Sequence, residues 1–202
     1  MVQDRSFFAI MLKWLYSQGV SMEIRKHFLT ITQHKWLVMK HCFAVGLYRQ
    51  GLMHDLSKYS PIEFWNGCRY YQGDRSPNNA EREDKGYSAS WLHHKGRNRH
   101  HLEYWIDYDL PPNTGMTGMR MPERYVVEMF CDRMAACKVY QKEAYTQESP
   151  WIYYEKSREH LILHPESRAL LEDMLQTLAK DGEKAAFLHI RKDILKVTKG
   201  DM

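Results

Sequence analysis

The chain has 202 residues, of which 44% are hydrophobic and 27% are charged, a composition typical of a soluble globular protein that is long enough to bury a core. Its formal net charge of +4 gives a mild attraction to anions such as phosphates but excludes a dedicated nucleic-acid binder. The longest apolar run near the N-terminus, residues 7–12, is too short to span a bilayer, so we expect no signal peptide, no membrane partner and a cytoplasmic location.

The first two predicted helices come from apolar residues at helical spacing. Residues 5–17 have the pattern of an amphipathic helix that packs on the core. The next helix, from residue 22 or 30 to residue 48, is apolar on nearly every side, which predicts a buried helix that carries His34 and His41. A buried imidazole needs partners for its ring nitrogens. For either histidine alone, hydrogen bonding in the core is the common case and metal ligation is the alternative.

A histidine and an aspartate stand side by side in the run GLMHDLSK at residues 51–58. A bend before this run predicts a short helix that carries His54 and Asp55 and ends by Tyr59. A neutral imidazole and a carboxylate at one spot are common ligands of transition metals. Side chains of helical neighbours diverge by about 100°, but both can reach an ion that lies off the helix axis. Because such a pair also arises by chance at a helix end, a metal site requires matching ligands elsewhere in the chain.

Proline and glycine mark the helix ends in the next segment. Ser60 followed by Pro61 begins a helix that ends at Gly73. Glu63 stands where it would close a capping box with Ser60. Residues 73–86 are polar and rich in turn formers, which predicts a loop or lid.

Four histidines follow, as the pairs His93-His94 and His100-His101, with a tryptophan on either side. The pairs stand seven residues apart, so one member of each would share a helix face unless Gly96 breaks the helix. Arg97 and Arg99 add positive charge suited to a phosphate. A basic surface loop is the alternative, but the concentration of histidines favours a site.

The last candidate ligand is Asp132, which falls in the middle of the apolar face of a long helix that begins at Pro122. A buried unpaired carboxylate costs several kcal/mol, so such a residue is usually salt-bridged, hydrogen-bonded or bound to a metal. A structural salt bridge and metal ligation therefore both stay open for Asp132.

The rest of the chain is also helical in pattern, after a loop predicted at residues 107–118. Three further helices begin at Ser149, Pro165 and about Glu183, and the last ends at Val197. Since no segment alternates as a strand, we expect an all-α fold in one domain. The predicted bounds are 1–202 for the domain, about 22–145 for its core and about 149–198 for a helical extension. Four cysteines without CxxC spacing are expected as buried, reduced thiols: Cys42, Cys68, Cys131 and Cys137.

The order of the candidate ligands resembles the H…HD…D signature of the HD superfamily of metal-dependent phosphohydrolases, with His34, His54-Asp55 and Asp132 as its members. The resemblance implies an HD-like helical bundle in which these side chains converge on one metal, while histidines between the His-Asp pair and the last aspartate hold a second. The HDLSK run resembles an HDxxK variant in which the lysine, here Lys58, faces the phosphate. With HKW, SPIEF, NRHHLEYW and LHPE, these motifs make residues 30–175 similar to an uncharacterised family of bacterial and phage HD-like proteins.

Two departures limit what the resemblance implies. The 20 positions from His34 to His54 are few for the superfamily, and His41 is closer still, which favours His34 as the first ligand. The GYP tripeptide of the cyclic-dinucleotide phosphodiesterases is missing, so that substrate is not implied.

The function implied by the resemblance is hydrolysis of a phosphate ester, with a nucleotide or a related phosphorylated small molecule as the partner. Asp55 and Lys58 would carry the catalysis, and Asp55 would also bridge two ions. Lys58, with Arg97 as a second cation, would bind the substrate. A histidine-rich set with carboxylates suits one or two ions of Fe, Mn, Co, Ni or Zn better than Mg. The implied metal ligands are His34, His54, Asp55, His94, His101 and Asp132.

Two other functions stay open. A di-iron oxygenase on the same fold would use six histidine and aspartate ligands equally well, and oxygen uptake against phosphate release would separate the two enzymes. The third function is a non-catalytic helical interaction protein, in which the same residues are core hydrogen bonds and surface charge. The sequence also leaves open whether the chain forms a homo-oligomer and which member of each histidine pair faces the site.

Overall fold

The computed structural model describes residues 23–112 and 115–196. Over these residues the chain is predominantly helical, which confirms the all-α prediction. The α-helices of the described chain are α1 Ile24–Ala44, α2 Tyr48–Met53, α3 Pro61–Arg69, α4 Pro77–Lys85, α5 Ala89–Lys95, α6 Glu123–Gln141, α7 Ser149–Glu155, α8 Pro165–Asp181 and α9 Glu183–His189. Short 3₁₀ turns occupy Leu56–Tyr59, Leu102–Trp105, Lys142–Ala144 and Arg158–His160, and a π turn follows α9 at Ile190–Ile194.

The core lies where α1, α6, α8 and α9 meet. α1 contributes Val38 and, near its C-terminal end, Cys42, and the middle of α6 contributes Phe130 and Met134, all closed to solvent. Burial of such side chains is the main favourable term in folding. This burial packs α1 and α6 against each other, close to His34 on α1 and Asp132 on α6.

The prediction that α1 is buried on every side is wrong for its outer face. His34 and His41 are buried, as predicted, but the indole of Trp36 is 52% exposed. The ammonium of Lys40 lies 4.3 Å from the centre of that indole, so the ring is covered by a charged side chain rather than by the core. Composition alone overstated the burial because aromatic and aliphatic residues also occur on protein surfaces.

A small sheet corrects the prediction that residues 107–118 are only a loop and that the chain has no strand. β1 Ile106–Tyr108 pairs antiparallel with β2 Met116–Gly118. Strands of three residues are too short for the apolar alternation that identifies a strand in a sequence.

The loop or lid expected at residues 73–86 contains a helix, α4, so this prediction is also wrong. Ser76 and Pro77 begin α4, and Gly86 ends it in a left-handed conformation with φ 78°. The helix was missed because its inner face is polar. Glu81 on that face is closed to solvent and accepts hydrogen bonds from Ser88 and Ser90.

The C-terminal helices pack on α6 and on one another, and their apolar residues continue the same core cluster. The four cysteines are free and buried, as predicted. Two predicted features lie outside the described residues: the helix at 5–17 and the end of the last helix at Val197. None of the helices in residues 23–112 and 115–196 has the length and apolar character needed to cross a membrane.

Candidate metal centre

His54 and Asp55 do not lie on a helix, contrary to prediction. α2 ends at Met53, His54 follows as its C-cap, and Asp55 has a left-handed backbone with φ 52°. Aspartate is one of the few residues that tolerate this conformation. Lys35 on α1 donates hydrogen bonds to the carbonyls of Leu52 and His54, at 2.7 and 2.9 Å, and ties the turn to α1. The turn brings the two neighbouring side chains together, with 3.3 Å between His54 Nε2 and Asp55 Oδ2.

Four predicted ligands from three segments converge on this turn. His34 Nε2 on α1 lies 2.9 Å from Asp132 Oδ1 on α6 and 3.8 Å from Asp55 Oδ2. His54 Nε2 lies 3.6 Å from the same oxygen of Asp132. One ligand atom from each of the four lies within 4.8 Å of the others, which is a spacing that suits one metal ion.

The other oxygen of Asp55 faces a second group. Asp55 Oδ1 lies 3.3 Å from His94 Nε2 and 3.4 Å from His100 Nε2. His101 Nε2 lies 2.9 Å from His94 Nε2. These four residues also present ligand atoms within 4.8 Å of one another. Asp55 thus presents one oxygen to each group, the arrangement of a carboxylate that bridges two ions.

The chain brings His94 and His101 together by a turn and not by one helix face. α5 ends at Lys95, and Gly96 is its C-cap. Asn98 then donates to the carbonyl of His94 at 2.9 Å, which folds the chain back toward α5. The same turn brings in His100, which is closed to solvent and was left open as a candidate by the sequence.

Two glutamates that the sequence did not indicate hold the far nitrogens of these rings. Glu128 Oε1 lies 3.0 Å from His54 Nδ1 and 3.2 Å from His100 Nδ1. Glu63 Oε2 lies 2.8 Å from His94 Nδ1. A carboxylate on the second ring nitrogen fixes the tautomer and orientation of a metal-binding imidazole.

Glu63 therefore does not close a capping box, and Ser60 makes no side-chain capping bond. The other carboxylate oxygen of Glu63, Oε1, lies 2.6 Å from His93 Nδ1, so this histidine is bound to Glu63 and lies outside both ligand groups. Glu128 precedes Asp132 by four positions and shares its side of α6, which was an available signal for a second inward-facing carboxylate.

The carboxylates of the site are held ionised. Burial alone would raise the pKa of Asp55, but His54 and Lys58 outweigh it and hold this pKa well below its usual value. Burial likewise opposes ionisation of Asp132, and the neighbouring rings of His34 and His54 bring its pKa well below the usual range. The pKa values of Glu63 and Glu128 are lowered in the same way by the rings they contact.

The histidines divide into two classes. Burial lowers the pKa of His34 and, more strongly, that of His101, which leaves both rings neutral with a lone pair for a metal. Burial also disfavours the protonated form of His54 and His94, but Asp55 and the nearby carboxylates outweigh this effect on the pKa. They raise the pKa of His54 well above its usual value and that of His94 to about 8. These two rings must release a proton before they can ligate.

The three remaining predicted residues are placed differently. Lys58 Nζ lies 2.6 Å from Asp55 Oδ2, and although burial lowers the pKa of this ammonium, Asp55 and Asp132 raise it overall. Arg97 is exposed and donates to the carbonyl of His93 at 3.2 Å, so it does not join the cluster. His41 is bound elsewhere, between the carbonyl of Cys131 and the ammonium of Lys138.

The residues present fit a bound cation. Several buried atoms of the cluster have ionic neighbours but no hydrogen-bond partner, namely Nε2 of His34, His54 and His100 and both carboxylate oxygens of Asp55. Buried polar atoms in this state are costly unless an ion or ligand satisfies them. A donor set of imidazoles and carboxylates suits Fe, Mn, Co, Ni or Zn.

A cavity of about 630 Å³ opens onto the cluster. Its lining includes His34, Lys58, His94, His101 and Asp132 at the cluster. Aromatic side chains also line it, among them Tyr71, Trp91, Tyr140 and Tyr153. The volume is that of a small-molecule site.

Comparison with known proteins gives a family and no described relative. No curated protein and no solved structure matches the chain. A family model matches residues 23–177, a range that contains every residue of the two ligand groups. The chain therefore belongs to DUF5662, a family of unknown function.

Proposed function

We propose that this protein is a metal-dependent phosphohydrolase of the HD type, acting on a phosphate ester of a small molecule such as a nucleotide. The observation that carries the proposal is the position of Asp55, which presents one oxygen to His34, His54 and Asp132 and the other to a group of three histidines. The order of the first group along the chain is that of the HD signature.

Each part of the cluster has a role in this proposal. When bound, one or two divalent transition-metal ions supply a water of lowered pKa and neutralise charge on the phosphoryl oxygens. Glu128 and Glu63 hold the ring nitrogens that face away from the cavity, so Nε2 of His54, His94 and His100 stays directed inward.

Lys58 is the cation at the cavity wall beside Asp55. Its ammonium donates to a phosphoryl oxygen as the bond from phosphorus to the ester oxygen breaks and water replaces the alcohol. A cytoplasmic location belongs to the same proposal, supported by four free cysteines.

The experiment combines metal analysis with phosphate release from a panel of phosphoesters. We expect bound transition metal and phosphate release in the native protein, and loss of both in Asp55→Asn. The matched control is His41→Gln, because His41 is an equally buried histidine outside both ligand groups. Retention of metal and activity by Asp55→Asn would overturn the site. Oxygen uptake by an iron-loaded sample, with no phosphate released, would favour the oxygenase. Metal-free protein without activity would favour an interaction protein.

A further inference from the structure

The wall that α6 contributes to the cavity carries a second cation beside the metal ligands. The residues of α6 that line the cavity recur every three or four positions and so form one helix face: Met129, Asp132, Arg133, Ala136, Cys137, Tyr140 and Gln141. Arg133 follows Asp132 directly, and neighbouring Cα atoms are only ~3.8 Å apart. Arg133 thus belongs to the part of the cavity wall that also carries Asp132.

Arg133 makes no ion pair and no hydrogen bond with the described residues. Its Nε is buried without an acceptor, and the guanidinium carbon lies 5.8 Å from the centre of the Tyr154 ring. Arg75 and Arg158, in contrast, are paired with Glu83 and Glu172. A guanidinium has donors that match a carboxylate or phosphate, and a buried Nε without an acceptor is costly.

Among the described residues, Arg133 also differs from Lys58 and Arg75, the other lysine and arginine of the cavity wall, in having no carboxylate partner. Lys58 is paired with Asp55 and Arg75 with Glu83, and burial lowers the pKa of His27 to about 4, so that its ring is neutral. Tyr140 also lines this cavity from α6, and its ring offers an apolar surface to a ligand body.

We propose that Arg133 binds a second anionic group of the substrate, a carboxylate or a phosphate distinct from the phosphoryl group that is hydrolysed. The substrate class is thus a small phosphomonoester that carries another negative charge on its body. The assignment rests on the proposed phosphohydrolase function for the reaction, but anion binding by Arg133 can be measured without hydrolysis.

The test uses ester pairs that differ in the second anion. The carboxylate pair is 3-phosphoglycerate and glycerol 3-phosphate, and the phosphate pair is fructose 1,6-bisphosphate and fructose 6-phosphate. Each ester is assayed for hydrolysis with metal-loaded protein and for the rise it causes in melting temperature. The variants are Arg133→Met and Arg133→Lys, with Arg120→Met as control, since Arg120 is an exposed arginine paired with Glu166.

In the native protein and in Arg120→Met we expect KM to be about 10- to 100-fold lower for the member of each pair that carries the second anionic group. In Arg133→Met we expect this difference in KM between the two members to disappear. Arg133→Lys keeps part of the difference. The pair with the larger effect identifies carboxylate or phosphate as the second anion.

The outcomes separate this inference from the proposed function. Hydrolysis of both members with equal KM, unaltered in Arg133→Met, overturns the role of Arg133 and leaves the hydrolase in place. Absence of hydrolysis, with a rise in melting temperature that is larger for the ester with the second anionic group and is lost in Arg133→Met, supports the anion site and overturns the hydrolase. Absence of both effects overturns both assignments.

Discussion

Replacing Glu128 by glutamine removes a charge that two histidine rings share. Glu128 Oε1 lies 3.0 Å from His54 Nδ1 and 3.2 Å from His100 Nδ1, and these rings belong to different ligand groups. An amide oxygen is a weaker acceptor than a carboxylate, and the amide nitrogen repels a ring N–H. Both imidazoles therefore lose the group that fixes their tautomer and orientation.

The expected magnitude follows from the role of such carboxylates. Removing an outer partner of a metal-binding histidine weakens metal affinity about 10- to 100-fold. At a metal concentration 100 times the native Kd, binding stabilises the native protein by about 2.7 kcal/mol. A variant with 10- to 100-fold weaker binding keeps roughly 1.4 to 0.4 kcal/mol of that stabilisation. For a chain of this size the loss lowers the metal-dependent rise in melting temperature by about 3 to 9 °C.

The assay is thermal unfolding of native protein and Glu128→Gln, each with and without added metal, together with titration against a chromophoric chelator. The comparison of loaded with metal-free samples removes any direct effect of the substitution on folding. Glu81→Gln is the matched control, because Glu81 is a buried glutamate hydrogen-bonded to serines outside the ligand groups. A Kd within twofold of the native value would refute the role assigned to Glu128.

Three further outcomes are expected. Burial raises the pKa of Glu81, but hydrogen bonds from serines and a lysine lower it from 4.5 to about 2, so its contribution of about 3 kcal/mol is present above pH 4.5 and is lost as pH falls toward 2. Acid unfolding of Glu81→Gln should lack this dependence between pH 4.5 and 2, and a curve parallel to the native one would contradict the argument. Gly118→Ala would place a Cβ 2.7 Å from the backbone nitrogen of His164, which should cost about 1–3 kcal/mol in urea unfolding. Gly96→Ala, with its nearest contact at 3.5 Å, is the control, and equal losses would refute the steric cause. Chelation of a metal-loaded sample should lower its melting temperature and leave that of Asp55→Asn unchanged, whereas equal shifts in both proteins would point to nonspecific binding.

Sequence patterns located the long helices and the four residues of the first ligand group because both signals are local. α1 and α6 have sustained helical periodicity, and His54 and Asp55 are adjacent in the chain. A buried histidine or aspartate on an apolar helix face stands out against its neighbours. That these four side chains would converge was expected only from their order along the chain, which resembles the HD signature.

Sequence patterns missed features that depend on tertiary contacts. α4 was predicted as a loop because Glu81 on its buried face is charged. Burial of this carboxylate is stabilised by hydrogen bonds from Ser88 and Ser90, which the sequence does not reveal. Glu63 fitted a capping box, a local pattern that its contact with two histidine rings overrides. The left-handed backbone at Asp55 was not predicted either, because a left-handed position is recognised in a sequence mainly from a glycine.

Removal of the Lys58 side chain should change metal binding and phosphoester hydrolysis in opposite directions. This result would distinguish a catalytic group from a group that helps to hold the metal. The lysine Nζ lies 2.6 Å from Asp55 Oδ2, the oxygen that also faces His34 and His54, so the ammonium competes with a cation for that oxygen. Lys58→Met should therefore bind metal more tightly than the native protein while it hydrolyses phosphoesters more slowly. Chelator titration and phosphate release measure the two effects, and Lys40→Met, which removes a lysine that lies over the exposed Trp36 ring, controls for loss of a positive charge. Weaker metal binding in Lys58→Met would mean that the ammonium orients Asp55 for the ion, and the catalytic role assigned to Lys58 would lose its basis.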